Sequence, residues 1–349
     1  MNTWEKILNN PSLLSRYYTR EQVIDSMREY LKKEGFHEVE TPKLLPQPST
    51  EPFLEVFETE LKFDDGSKLQ AFLPTSPEFA LKKLLAAGMG SIFEICKSFR
   101  NGEGRSSRHN PEFTILEFYH VNADYFDVMN DLEKMFQHIY RNVFKNDSYQ
   151  LTYQNKQYDL SSPWERITVA QAFQKYAGIS IEVLSSEELL LIKARQKGYS
   201  VDKSTTWEQV FNQILFNEIE PNLGKTKPTI LYEYPASQAA FSKKKQDDPR
   251  FAERFEVFMA GYELGNCFSE LVDAKEQRER CEQDLALREQ LGKKQFGMDE
   301  DFIHALEVGF PPTSGIAMGV DRIAALFADT PSIQDVLFFP VDDLFPPEV

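Results

Sequence analysis

Apolar residues recur with helical spacing at Val23, Ile24, Met27, Tyr30 and Leu31, which predicts an amphipathic helix over 19–33 with Thr19 and Gln22 as a capping box. Gly35 ends it, and the run Phe36-His37-Glu38-Val39-Glu40-Thr41 then reads as a strand entering Pro42. Proline cannot donate to a ladder, so that strand stops pairing there or lies at an edge or interface. A short strand over 69–73 stops at Pro74; Ser76 is the expected N-cap, and Pro77 the first residue, of a helix running to Leu85. Two further strands, 91–99 and 112–120, predict an antiparallel hairpin. Its second strand alternates Phe113, Ile115 and Glu117 on one face, and its tip is the polar loop Gly102, Glu103, Gly104, Arg105, Ser106 and Ser107.

Farther along, Phe126, Met129, Leu132, Met135 and Phe136 predict a helix over 124–140. The chain turns polar over 146–159, and about 165–225 reads as a mainly helical, chemically quiet insertion. Strand character returns at 229–232, 255–260 and 263–270. A helix over 278–289 alternates charge signs, which predicts a solvated face rather than a site. Small residues over 314–319 form a strand that leads into a helix starting near Asp321, and Gly and Ala there permit close approach of a ligand or backbone.

Composition narrows the possibilities. The 349 residues are 41% hydrophobic and 27% charged, as in an ordinary globular protein. A formal net charge of -16 argues against a broad grip on nucleic acid, which needs clustered Lys and Arg. Cys96, Cys267 and Cys281 form no CxxC pair, and the histidines show no HExxH spacing, so neither a disulfide framework nor a structural zinc is expected. With no signal-like leader and no apolar run of ~20 residues, a cytoplasmic protein without membrane contact is expected.

Chemistry is concentrated in three places: the helix-strand-proline order at Pro42, the segment Phe99-Arg100-Asn101 with Arg108-His109-Asn110-Pro111-Glu112-Phe113, and the glycine-rich strand ending in Asp321-Arg322. In that order they resemble motifs one, two and three of the class II aminoacyl-tRNA synthetases. The resemblance spans nearly the whole chain. Thr75-Ser76-Pro77-Glu78 and Glu263-Leu264-Gly265-Asn266 narrow it to the lysine branch. It implies a single α+β catalytic domain over 1–349, a large antiparallel sheet flanked by helices, and a homodimer using the Pro42 segment.

The same resemblance implies ATP-dependent formation of an aminoacyl adenylate. Arg100 would meet the α-phosphate and Arg322 the γ-phosphate, since a guanidinium donates two parallel hydrogen bonds to phosphate oxygens. Phe113 matches the ring that stacks on adenine, with Asn101, Glu103, His109, Asn110, Leu264 and Gly319 around the nucleotide, and His109 holding the loop rather than moving protons. Glu263 and Glu270 match an acidic pair that holds Mg2+ on the phosphates. Seven residues apart, they fall on opposite faces of a regular strand, so a bulge or a turn through Gly265 is expected to bring both inward. For the amino acid, Glu78 resembles the carboxylate that receives the backbone-type ammonium, while Glu117 and Tyr119 resemble the grip on the side-chain ammonium. Ser76, Asn266, Phe268, Glu270 and Ala317 complete the pocket, and two negative groups there suit lysine or an isomer. Arg100, Glu270 and Arg322 would carry catalysis.

Two acceptors stay open. A full lysine-branch synthetase carries an anticodon-binding OB domain before its core, and a motif one already reached at Pro42 leaves too little chain before it for that barrel. The pattern is similar to the elongation factor P lysine ligases, which transfer activated (R)-β-lysine to a lysine side chain of elongation factor P and need no stable tRNA binding. Pro235-Ala236-Ser237-Gln238 and Ala317 follow that group. Gly265, Ser269 and Asp335-Val336-Leu337-Phe338-Phe339-Pro340 follow the synthetases, Cys267 replaces a glycine common to both, and Gly102 makes the hairpin loop one residue longer. The alternative is an amino-acid-activating enzyme without the anticodon domain, acting on tRNA or a small acceptor.

Overall fold

The computed structural model describes residues 3–103 and 106–346. Eight strands form one sheet: β1 (His37–Glu38), β2 (Ile92–Phe99), β3 (Glu112–Val121), β4 (Glu165–Thr168), β5 (Thr229–Tyr232), β6 (Arg254–Met259), β7 (Tyr262–Ser269) and β8 (Thr313–Gly319). Their spatial order is β1-β2-β3-β8-β7-β6-β5-β4. The interior is antiparallel as expected, but both edges are parallel: β1 against β2 and β4 against β5. Such pairings need a crossover between the strands: residues 39–91, with the helix Glu78–Ala86, join β1 to β2, and several helices lie between β4 and β5. On the other side of β1 the chain arrives from α1 (Leu14–Lys33). The architecture is therefore α+β around a large mixed sheet.

Helices α1, α3 (Tyr125–Phe144) and α5 (Val320–Phe327) cover one face of the sheet. Val128, Met129, Leu132, Met135, Phe136 and Ile139 of α3 meet Val23, Met27 and Leu31 of α1 and Phe118, Val257 and Ile316 of the sheet, all fully or almost fully buried. Each large apolar side chain so buried contributes roughly 1.5–3 kcal/mol. Asp124 caps α3 in a reciprocal box with Asp127, which fixes where the helix begins. The opposite face of the sheet carries the cavity, which Glu78 at the start of α2 (Glu78–Ala86) helps to line; α4 (Ala274–Gln290) follows β7 in the chain.

Several boundaries differ from the sequence expectation. Helix α1 starts at Leu14, so Thr19 is no cap: its hydroxyl donates to the Ser15 carbonyl inside the helix. Strand β1 has only two residues and lies at the sheet edge. The insertion begins later than 165, because Glu165–Thr168 pairs with Thr229–Tyr232 as part of the main sheet. Its helices bury a core of their own around Phe173, Leu190, Phe211 and Ile214. Helix α4 is not wholly solvated: Gln277, Cys281 and Arg288 are buried, and the Arg288 guanidinium donates to the carbonyls of Glu51 and Leu54 at 2.9 Å. The expected antiparallel β2–β3 hairpin forms, with Ser98 opposite Phe113 and Glu94 opposite Glu117. Gly102 adopts a left-handed φ of 70° in its loop, and the expected loop residues Gly104 and Arg105 lie outside the described residues.

Candidate active site

Alternation along β3 sends Leu116 and Phe118 into the helical core and Phe113, Ile115, Glu117 and Tyr119 into the cavity. Two rungs of the sheet make its floor. One runs Glu94, Glu117, Ala317, Asn266, Glu256 across β2, β3, β8, β7 and β6. The next runs Ile92, Tyr119, Gly315, Phe268, Arg254. The cavity encloses about 560 Å³, within the range of small-ligand sites.

Strand β7 contains the expected irregularity. Gly265 pairs with Val257 but Glu263 with Phe258, leaving Leu264 as an extra residue. Leu264 and Gly265 are consecutively buried, so alternation breaks there and Glu263, Asn266, Phe268 and Glu270 all line the cavity. Glycine is favoured at 265, where a Cβ would sit 3.1 Å from the Ala317 carbonyl oxygen. It is required at 315, where a Cβ would lie 2.4 Å from the Tyr119 ring and 2.8 Å from Glu270 Oε1.

One end of the cavity is acidic. Ser76 donates to Glu117 Oε1 at 2.5 Å and accepts the Glu78 N–H at 3.0 Å, while Tyr119 donates to Glu117 Oε2 at 3.1 Å. Burial, and then the charge of Glu78, push the Glu117 carboxyl up to about 8. Burial pushes Glu270 up to about 7, against the opposing pull of Lys82.

The other end is basic. The Arg100 guanidinium lies over the Phe113 ring, 5.1 Å from its centroid, and 3.8 Å from Glu103. Arg322 donates to the Glu263 carbonyl at 2.7 Å and to His109 Nε2 at 3.1 Å. That contact makes Nε2 an acceptor and leaves the His109 Nδ1–H for Ser106, 3.1 Å away. Burial and the Arg322 charge lower the His109 pKa, so the ring is neutral and holds Arg322 in place.

Three expected residues behave differently. Asn110 spends its side chain on the protein, donating to the Glu112 carbonyl at 2.6 Å and accepting from the Val341 N–H at 2.9 Å, so only backbone near it is free to read a base. Asn101 is exposed and outside the cavity wall, its amide oxygen accepting the Gly102 N–H at 2.9 Å. Glu270 is bound to Lys82 at 2.6 Å, whereas the carboxylates that perturb Glu256 and Glu220 include Glu263. Both Glu263 and Glu270 line the cavity. Among the described residues no three His, Cys, Asp or Glu side chains form a ready metal cage.

Sequence reasoning passed over Lys82, Arg254 and Glu256. Arg254 donates to Asn266 at 3.1 Å and to Glu256 at 2.7 Å, and Tyr234 donates to the other Glu256 oxygen at 2.7 Å. A signal was present: Arg254 and Glu256 flank Phe255 in a strand, so two charged side chains share one face of a central strand whose other face is apolar.

A mixed, mainly antiparallel sheet with an arginine-bearing hairpin, a glycine-lined floor and a helix whose first turn carries Asp321-Arg322 defines the catalytic domain of a class II synthetase. A family profile described as tRNA synthetases class II (D, K and N) matches residues 3–343, and the chain belongs to that family. It is similar to the lysine–tRNA ligase of Staphylococcus haemolyticus, 36% identical over 334 residues that cover 96% of this chain and 66% of that protein. The lysine–tRNA ligases of Moorella thermoacetica and Carboxydothermus hydrogenoformans are 36% and 33% identical over 337 and 338 residues, again covering 96% of this chain. The chain thus spans about two thirds of the length of these relatives, 66%, 66% and 67%. No described helix is long and apolar enough to cross a membrane.

Proposed function

We propose that the chain joins lysine, or the isomer (R)-β-lysine, to AMP at the expense of ATP, and transfers the aminoacyl group to a lysine side chain of elongation factor P. The carrying observation is one cavity with Glu78, Glu117 and Glu270 at one end and Arg100 and Arg322 at the other. That polarity suits a diammonium compound lying head to tail with a polyphosphate.

In the first step a substrate carboxylate oxygen forms a bond to the α-phosphorus as the bond to the β-phosphate bridging oxygen breaks, and pyrophosphate leaves. Arg100 neutralises the α-phosphate and Arg322 the γ-phosphate, so the work is positioning and charge stabilisation. Phe113 offers its ring to adenine. Mg2+ accompanies ATP in this family; Glu263 and Glu270, which both line the cavity, would hold it as hard oxygen donors, and it would draw charge from the phosphates. In the second step an unprotonated acceptor amine attacks the adenylate carbonyl carbon. The carbon–oxygen bond to AMP breaks, AMP leaves with the electron pair, and the amine sheds one proton.

Ser237-Gln238 and Ala317 support the protein acceptor. The Gln238 carbonyl accepts from Arg254 at 2.5 Å, which joins that segment to the Asn266 and Glu256 rung. Charging of tRNA is the second reading, favoured by the lysine–tRNA ligase relatives and by Gly265 and Ser269. A homodimer through the Pro42 face belongs to either reading. The test is ATP–pyrophosphate exchange with each lysine isomer, followed by transfer of labelled amino acid to elongation factor P or to tRNA. Label on elongation factor P is expected; label on tRNA alone would replace the first reading by the second, and no exchange would remove both.

A further inference from the structure

Glu51 enters the cavity from a segment that belongs neither to the floor nor to the hairpin. It lines the cavity together with Ser76, Glu78 and Arg100. Glu51, Ser76 and Glu78 also line a small adjoining cavity of about 70 Å³, so the three stand together where the two spaces meet. The charges of Arg100 and Glu78 both act on the Glu51 carboxyl, which places it between the basic hairpin and the acidic end. Burial raises its pKa, and the Arg100 charge opposes that rise.

The backbone that carries Glu51 is pinned. Arg288, 1% exposed, donates to the carbonyls of Glu51 and Leu54 at 2.9 Å, and its guanidinium lies 4.3 Å from the centroid of the Phe296 ring. The buried Thr50 hydroxyl donates to Asp284 at 3.3 Å, and the Glu55 carbonyl accepts the Asn101 N–H at 2.9 Å. Helix α4 thus holds one side of segment 50–55 and the tip of the Arg100 hairpin holds the other. A backbone fixed in this way aims the side chain before any ligand arrives, at little further entropic cost.

The side chain itself has oxygens to spare. Among the described residues the one hydrogen bond to its carboxylate comes from the Ser49 hydroxyl, at 3.5 Å. Its neighbours are more committed: Glu78 Oε1 is taken by Lys82 at 2.5 Å, and the Ser76 hydroxyl is given to Glu117 at 2.5 Å. A substrate ammonium has three N–H donors to place. Glu78 Oε2 can accept one, and Glu51 is the neighbouring acceptor for another.

Resting on the lysine-activation reading, we propose that Glu51 is a specificity-determining residue which, with Glu78, receives the substrate ammonium nearest the carboxylate. The two side chains reach that group from different elements, segment 50–55 and α2, and a cation between them offsets their mutual repulsion. An analogue without that ammonium gains nothing from Glu51.

The experiment measures binding of lysine, (R)-β-lysine and 6-aminohexanoate to wild type and E51Q by calorimetry, beside ATP–pyrophosphate exchange. The third compound keeps the carboxylate and the distal ammonium and lacks the other ammonium. E51Q preserves the size of the side chain and removes its charge. Affinity for the better-bound lysine isomer is expected to fall about tenfold or more, and its KM in exchange to rise in step. Affinity for 6-aminohexanoate and the KM for ATP are expected to stay within about twofold. Equal losses for lysine and 6-aminohexanoate would mark a merely structural role and overturn the assignment, as would unchanged affinity for both lysine isomers. If E51Q does not fold, E51A takes its place with the same expectations. Wild type that binds lysine yet gives no exchange removes the activation reading alone, and the contrast between the two ligands in E51Q still decides the role of Glu51. Exchange that persists in E51Q with wild-type lysine affinity overturns the role of Glu51 and leaves the activation reading standing.

Discussion

The Asp321 carboxylate accepts the backbone N–H of Thr114 at 2.7 Å, and its other oxygen accepts from Arg20 at 2.8 Å. Arg20 also donates to the Thr114 hydroxyl at 2.8 Å. One nearly buried carboxylate thus ties α1, β3 and α5 together, directly between Phe113 and Arg322. Substituting Asp321→Ala leaves a half-buried guanidinium and a buried N–H without partners, and should cost about 2–3 kcal/mol. Urea unfolding measures the loss, and ATP KM should rise with it.

Gly315→Ala should abolish use of the amino acid while sparing ATP binding. The added Cβ would meet the Tyr119 ring at 2.4 Å and Glu270 Oε1 at 2.8 Å, so Tyr119, expected to help grip the side-chain ammonium, and Glu270, which completes the pocket, must move. A displacement near 1 Å is worth roughly 100-fold in rate. Lysine-dependent pyrophosphate exchange reads the first effect and nucleotide titration the second.

Stability should depend on pH in the direction opposite to most carboxylate proteins. Glu117 and Glu270 have folded pKa values raised from 4.5 to about 8 and about 7. Their contribution is complete below pH 4.5 and is lost as pH climbs through those values, because folding then traps charge that water would solvate. The ligand-free protein should lose Tm from pH 6 toward pH 8, and saturating lysine should remove the decline by supplying ammonium groups. A pH series of thermal melts with and without lysine decides it.

Ala317→Gly should shift the isomer preference toward α-lysine. Ala317 lies between Glu117 and Asn266 on the cavity floor, where on the proposed reading its methyl would reshape the pocket against α-lysine. One methyl is worth about tenfold in kcat/KM. Exchange rates with the two isomers, compared as a ratio between variant and wild type, give the answer.

The central elements were legible because each follows a short-range rule. Alternation placed Phe113, Ile115 and Glu117 on one face, and the seven-residue spacing of Glu263 and Glu270 demanded the bulge that Leu264 supplies. What escaped was set by contacts between distant segments. Nothing local marks Thr19 as interior, since the turn over 11–13 starts the helix early. Lys82 reads as one cation on an amphipathic helix until Glu270, far along the chain, is brought to it. Asn110 looks available until Val341 takes its oxygen. Glu256 was hidden in a strand whose apolar partners dominate its pattern.

The extra residue at Leu264 gives β7 two phases, one counted back from Ser269 and one counted forward from Tyr262. Deleting a single residue there would not merely shorten the strand. It would remove the bulge and leave Glu263 in regular alternation, still on the cavity face with Asn266, Phe268 and Glu270. A scan of substitutions along this strand should therefore show tolerance alternating with period two on either side, and the rhythm should skip a beat at Leu264-Gly265.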